Sequence, residues 1–275
     1  MTNANAHGAA DFFGFDNGTR RLPDAVPRGH AVRNMPAAEL EQVGESFNNV
    51  WTPNTETVTP NLGFNATVGN TTTIADKRIG YLATGMFRRN FGVKDGSNAR
   101  AALVGGQLTP IENLDYSVGV AESTVGALGN VGVELDRNND ISLFGLYSHV
   151  GEDTSSLANG YSEADSSSID VSRLSFVMRS LGFAQLTGKH KLSRSRGAEL
   201  KWQANVAQTT RDELDSRDLI YTIDGQSGTR FYKDQPGSGL KPVDVGRSGV
   251  AGSVPCLSPR SPSCTTTRWT STRRW

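Results

Sequence analysis

A strict two-residue alternation of apolar and polar side chains restricts this chain more than any other feature. It holds over long runs and breaks only at turn-forming residues. Leu62, Phe64, Ala66 and Val68 alternate with Gly63, Asn65 and Thr67, and Ile79, Tyr81, Ala83 and Phe87 repeat the pattern. Tyr116, Val118 and Val120 carry one phase, while Val125, Ala127, Val131, Val133 and Leu135 carry the other. That shift predicts a β-bulge near residues 121–124. Ile141, Leu143 and Tyr147 follow. Leu174, Phe176, Met178, Ala184, Leu186 and Leu192 share one parity, opposite Arg173, Ser175, Arg179, Gln185, Thr187, Lys189 and Lys191. Ala198, Leu200, Trp202, Ala204 and Val206 then alternate with Glu199, Lys201, Gln203, Asn205 and Thr209. A period of two is the mark of a β-strand with two unlike faces.

The runs pair into three hairpins, with internal turns at 69–78, 136–140 and 193–197. Register follows from keeping apolar residues on one face, because a one-residue slip moves every side chain to the other side. Val68 is expected opposite Ile79, Ala66 opposite Tyr81 and Phe64 opposite Ala83. In the second hairpin Leu135 should face Ile141, Val133 face Leu143, and Tyr147 cover Gly129, an aromatic ring over bare backbone. In the third, Leu192 should face Ala198. The polar stretches 90–114, 151–170 and the chain beyond 211 are expected as long loops, all at the end opposite the turns.

The expected fold class is all-β: an antiparallel up-and-down meander of about six long strands. Strands that run toward twenty residues exceed the usual five or six of a sandwich. They suit an incomplete arc of a transmembrane β-barrel, where about 9–11 residues cross the hydrocarbon and the rest stand above it. A mean hydropathy of −0.42 fits, since barrel strands are apolar on one face only. No apolar run approaches the roughly 20 residues of a membrane helix, which excludes a helical membrane protein. The 28 basic and 28 acidic residues balance, so no global field attracts nucleic acid, and no nucleic-acid partner is expected. The polar face with Glu199, Lys201, Gln203, Asn205 and Arg211 fits a lumen or a solvent-facing sheet equally. A secreted or surface β-sandwich binding module is the alternative.

Three segments are similar to a known family. Asp11-Phe12-Phe13-Gly14-Phe15-Asp16-Asn17-Gly18-Thr19-Arg20-Arg21-Leu22-Pro23 resembles a stretch near the first barrel strands of TonB-dependent outer-membrane receptors. Ser46-Phe47-Asn48-Asn49-Val50-Trp51-Thr52-Pro53 resembles the motif that follows it there, and Arg78 to Phe91 resembles the next strand. The resemblance covers about residues 11–222. It implies part of a bacterial outer-membrane receptor and transporter that takes up a nutrient such as a siderophore or an oligosaccharide. The family's barrel has 22 strands and an N-terminal plug, and the TonB system drives it. Outer-membrane lipid is then the partner, TonB acts only on the full-length protein, and the small-molecule ligand is unspecified. Six strands without a plug or TonB box should not transport alone.

The chain divides into an extracellular-type loop at 1–56, a partial barrel of three hairpins at 57–212, a loop at 213–249, and a disordered or frame-shifted tail at 250–275. The tail has no acidic residue after Asp244 and is rich in Ser, Thr, Pro and Arg. It holds both cysteines, Cys256 and Cys264, whose spacing would close a small disulfide loop. The N-terminus Met1-Thr2-Asn3-Ala4-Asn5-Ala6-His7 has neither the basic nor the apolar region of an export signal. Ala37 to Gly44 is expected to form a short helical turn.

No motif points to an enzyme, a cofactor or a metal, and no catalytic, cofactor-binding or metal-ligating residue is assigned. Asp136-x-Asn138-x-Asp140 opens like a calcium loop but continues with Ile141 and Tyr147 where Gly and Glu are needed. Gly126, Gly129 and Gly132 lie inside a strand with no helix after them, so they relieve crowding in the sheet and cradle no phosphate. His7, His30, His149 and His190 lack ligand spacing. Lys189-His190-Lys191 with Arg194 and Arg196 forms a basic turn end, solvated or facing lipid phosphates. The acidic, Ser-rich stretch 152–170 is expected to be a solvated loop.

Overall fold

A computed structural model describes residues 8–21, 23–26, 35–48, 50–192, 198–232, 241–242 and 267–269. Two helices, α1 (Ala9–Phe12) and α2 (Ala37–Glu45), precede β1 (Leu62–Ile74), β2 (Lys77–Val104), β3 (Gln107–Asp136), β4 (Asn139–Ser162), β5 (Ser167–Lys191) and β6 (Glu199–Ile223). Short strands β7 (Arg230–Tyr232), β8 (Lys241–Pro242) and β9 (Thr267–Trp269) complete the set. The fold is all-β. β1 to β8 are hydrogen-bonded in sequence order, every pair is antiparallel, and β9 pairs with β6. The sheet is open: among the described residues β1 pairs only with β2. No described helix is long and apolar enough to cross a membrane, which leaves strands out of account.

The three expected hairpins form, with corrected registers. Phe64 faces Phe87 and Val68 faces Ala83, four residues from expectation. Val133 faces Ile141 and Val131 faces Leu143, two residues from expectation. Both shifts are even, so the same residues share the same face. In the third hairpin the Leu192 amide donates to the Ala198 carbonyl at 2.9 Å, and Leu186 faces Ala204, as the alternation required. The first turn is only Ala75-Asp76, with φ of 50° and 59°. The expected turn at 193–197 lies outside the described residues.

The expected long loops at 90–114 and 151–170 are strands. β2 and β3 run on to meet at Gly105-Gly106, whose φ values of 58° and 83° suit a tight primed hairpin turn. β4 and β5 run on to a turn at Glu163–Ser166. These extensions mix polar and apolar residues on both faces, with Val93, Leu103, Val104 and Leu108 exposed, so strict alternation does not reveal them. Their ladders carry cross-strand polar pairs instead: Arg100 with Glu112, Asp95 with Ser117, and Arg173 Nε with Asp218 Oδ1 at 2.5 Å. β6 likewise continues to Ile223, past the expected boundary at 212 and into the stretch expected as a loop from 213. Within the stretch expected as a loop at 1–56, the described residues include both helices, and contacts from Gly14 and Asn48 tie them to the sheet.

No bulge lies at 121–124. The β2–β3 and β3–β4 registers run through it unbroken, and the irregularities fall at Arg100/Ala101, Glu134/Asp136 and Phe176/Val177. At the last, Phe176 faces Asp215 and Val177 faces Glu213, so Leu214 is the extra residue. Gly129 faces Gly145, and Tyr147 faces Ala127. The ring-over-glycine device occurs elsewhere. A Cβ on Gly188 would meet the Trp202 ring at 2.2 Å, and one on Gly96 would meet the Tyr116 hydroxyl at 2.7 Å.

The register gives the turn-proximal half two unlike faces. From the row of Thr72, Ile79, Val133, Ile141, Gly188 and Trp202 to the row of Phe64, Phe87, Val125, His149, Ser180 and Thr210, one face presents five residues from each of six strands. None of them is Asp, Glu, Lys or Arg. Phe64 is 63% exposed and Val206 55%. On the other face stand Arg78, Glu134, Asp140, Lys189 and Lys201, around a cavity of about 1400 Å³ lined from Thr71 in β1 to Asn205 in β6. First and sixth strands line one cavity only if the sheet curls toward this polar face.

Ala75 and Asp76 adopt a left-handed conformation that costs a non-glycine residue about 1–2 kcal/mol. The double variant Ala75→Asn/Asp76→Gly should raise the unfolding free energy by about 1–2 kcal/mol. In urea unfolding the midpoint should rise with the slope unchanged; an unmoved midpoint would contradict the turn assignment.

Candidate functional site

Beyond the charge-free rows, the turn-distal half of the same side of the sheet is covered by the chain's own N-terminal segment. Gly14 has φ of 83° and lies against Gly151 so closely that a Cβ on Gly151 would sit 2.1 Å from the Gly14 carbonyl oxygen. Glycine at both positions lets two backbones touch. Phe15 then stacks flat on His149, with ring centres 3.8 Å apart and planes within 5°. A carbonyl only accepts, so His149 Nε2 donates to the Gly14 carbonyl at 2.9 Å, and Nδ1 takes the Ser180 hydroxyl at 2.8 Å. The Ser123 hydroxyl donates to the Phe12 carbonyl at 2.9 Å, as does Arg89 at 2.8 Å.

Arg20 is the centre of the contact. Its side chain is 1% exposed, and its guanidinium lies 3.8 Å from the centre of the Phe176 ring. Nη1 bonds Asp11 and approaches Asp16 Oδ1 at 3.4 Å, and Nη2 is 3.6 Å from Asp153 Oδ2. One cation thus faces three carboxylates. Beside it Arg217 Nε donates to Asp215 at 2.8 Å, and Nη1 donates to the carbonyls of Asn48 and Val50 at 2.6 and 2.7 Å. The Arg217 guanidinium also lies 5.4 Å from the Trp51 ring centre, and the Trp51 carbonyl accepts from Ser172 at 3.0 Å.

The balance of charge leaves buried atoms without a hydrogen bond: Asp11 Oδ2, both oxygens of Asp153, Asp215 Oδ2 and Arg20 Nε, although Asp153 keeps its ion pair with Arg20. Burial pushes the Asp153 carboxyl up to about 7; Arg20 pulls it down, while Asp215 and Asp11 add to the rise. A neutral Asp153 lets the single guanidinium serve the remaining carboxylates. The Ser180 hydroxyl meets His149 Nδ1, but the other ring nitrogen is held by the Gly14 carbonyl and the ring is covered by Phe15, so the pair ties the segment down. Among the described residues no group of three or more His, Cys, Asp or Glu could hold a metal ion. The chemistry is that of a protein docking site built from charge, stacking and close backbone contact.

The motifs weighed from sequence are now placed. Asp136 accepts from the Asn138 amide and from the Asn139 side chain, both at 2.7 Å, as a turn residue does, and these bonds hold its carboxyl below the ordinary range. Gly126 makes room for Met86, whose methyl would lie 2.7 Å from a Cβ there, and nothing lies within 4 Å of one at Gly129. Lys189 pairs with Glu199 at 3.1 Å. His190 Nε2 accepts from Trp202 at 3.0 Å, leaving Nδ1 to donate to Asn139 at 2.7 Å. His7, His30, Arg194, Arg196, Cys256 and Cys264 lie outside the described residues. The acidic stretch 152–170 supplies Asp153 to the docking site. Sequence alone did not single out Arg20, Asp153, Asp215 or Arg217, because the contacts that join Arg20 to Asp153 and Arg217 to Asn48 and Val50 span over a hundred residues.

No family model, curated protein or solved structure matches the chain.

Two outcomes test the docking site. Gly151→Val should cost about 1–3 kcal/mol by overpacking against Gly14. Chymotrypsin should then cut at Phe12, Phe13 and Phe15 about tenfold faster, with circular dichroism unchanged; equal cleavage would contradict the close contact. For Asp153 the folded value of about 7 lies above the ordinary 3.8. The folded state therefore holds the extra proton between those values, and stability falls as pH rises from about 4 to 7. Asp153→Asn should flatten that slope in urea midpoints measured across the range, and an unchanged slope would remove Asp153 as its source.

Proposed function

We propose that this sheet is an arc of the wall of a bacterial outer-membrane β-barrel of the TonB-dependent receptor type, a transporter for a nutrient such as a siderophore or oligosaccharide. The observation that carries the proposal is the charge-free face. It extends nine residues along each strand from Thr72 to Phe64, about 27 Å at about 3.4 Å per residue. A membrane strand needs about 9–11 residues. Curvature toward the charged face supports the same view, because a barrel turns its polar side inward around water and its apolar side toward lipid. The two N-terminal sequence motifs supply the family. Outer-membrane lipid is the partner of the charge-free face, and the TonB system would act on the assembled receptor. Among the described residues the edge of β1 is free, and in hydrocarbon it must be paired by further strands or by a second copy of this sheet, since unpaired backbone groups are not tolerated there; one such sheet alone transports nothing.

A secreted or surface β-sandwich binding module without enzymatic activity is the second reading. It is favoured by the described residues between 8 and 51, such as Gly14 and Asn48, packing as protein against the turn-distal part of the same side of the sheet. The two readings separate on one experiment. An outer-membrane arc should fractionate with the outer membrane, need detergent for extraction, and migrate differently on gels with and without boiling. Recovery as a soluble monomer without detergent would reject the membrane proposal and leave the sandwich.

A further inference from the structure

We infer that Phe12 and Phe13 form an interfacial anchor, seated where the acyl chains of a lipid surface meet the headgroups. The inference rests on the membrane reading of the charge-free face and adds a residue-level contact outside the strands. The two phenyl rings lie edge to face with centres 5.2 Å apart, and both meet the Phe87 ring, at 5.2 and 5.1 Å. Phe64 joins the group at 5.7 Å from Phe87. Phe87 is buried beneath them, whereas Phe12 is 38% exposed, Phe13 42% and Phe64 63%. A folding core would bury all four; here three aromatic rings cap a fourth and stay open.

Their position gives the exposure its meaning. Phe64 and Phe87 form the last row of the charge-free face, and the next row outward carries Arg89 opposite Leu62. Arg89 lies 4.8 Å from the Phe12 ring centre and 5.1 Å from that of Phe91. Moving outward from the turns, one therefore crosses nine uncharged residues, then an aromatic cluster, then a guanidinium. Lipid presents the same sequence of hydrocarbon, interface and phosphate, and barrels place aromatic girdles at that boundary. On β1 and β2 the girdle is completed by the N-terminal segment, pinned to the sheet by the Gly14–Gly151 contact and by Arg20. The segment's bulk then lies outside the hydrocarbon, which reconciles its packing on the lipid-facing side with a bilayer that reaches only to Phe64.

The test places an environment-sensitive fluorophore at Phe13→Cys in a Cys256→Ser/Cys264→Ser background of the full chain, refolded into phosphatidylcholine vesicles. Parallel samples carry it at Phe12→Cys, so that one disruptive label does not decide the result, and at Leu143→Cys on the charge-free face. Vesicles contain lipid with a doxyl quencher either near the headgroup or deep in the acyl chain. The expected result is strong loss of emission at 12 and 13 with the shallow quencher, and at 143 with the deep one. Quenching at 143 with none at 12 or 13 would overturn the anchor and leave the membrane reading standing. No quenching at any of the three would overturn both.

Discussion

Everything else in this fold depends on an antiparallel ladder that keeps its register across six strands. A strand sorts side chains onto two sides by parity, and only an unbroken register makes the parities of six neighbours agree. β3 and β4 pair without a slip from Glu112–Ser162 to Glu134–Asp140, and β2 and β3 from Arg78–Glu134 to Arg100–Glu112. Thirty positions on one face can then lack a charge while Arg78, Glu134, Asp140 and Lys189 gather on the other. The N-terminal segment exploits the same order. His149, Asp153, Phe176 and Arg217 come from three strands yet point to one side, which is why a single short segment meets them all.

The docked segment and the open face solve the same problem differently. Apolar strand surface must leave water, and near the turns no described residue covers it. Farther out, where the sheet offers small and polar residues such as Gly119, Ser123 and Ser155, the chain covers the sheet itself with a charge cluster and stacked rings. Burying three carboxylates around one guanidinium is an expensive arrangement unless a proton neutralises one of them. Asp153 is the group so placed.

The alternation made much of this legible. Hairpin identity and facing could be read because they depend only on parity, and parity survives even-numbered errors in turn position. The register of the first hairpin lies four residues from expectation because Asn70 to Thr73 carry no apolar rhythm and Ala75 is not a usual left-handed former. The outer halves of β2 to β5 were invisible because residues such as Asp95, Ser117, Arg173 and Asp218 pair across strands without leaving an apolar rhythm. The phase change between Val120 and Val125 reflects a change in what the face meets: docked chain at Ser123, open surface from Val131 on. No local pattern links Arg20 to Asp153 or Asn48 to Arg217, since those contacts exist only once the sheet has formed.

The bulge at Leu214 has a consequence for how this strand tolerates change in length. Below it, even-numbered residues such as Val206 stand on the charge-free side; above it, odd-numbered Asp215 and Arg217 do. The extra residue works as an expansion joint. A chain lacking Leu214 would rejoin the regular ladder with every other residue of β6 still on its present side, whereas loss of Ser216 would turn Arg217 away from Trp51. Tolerance to insertion and deletion is therefore concentrated at one position of a 25-residue strand.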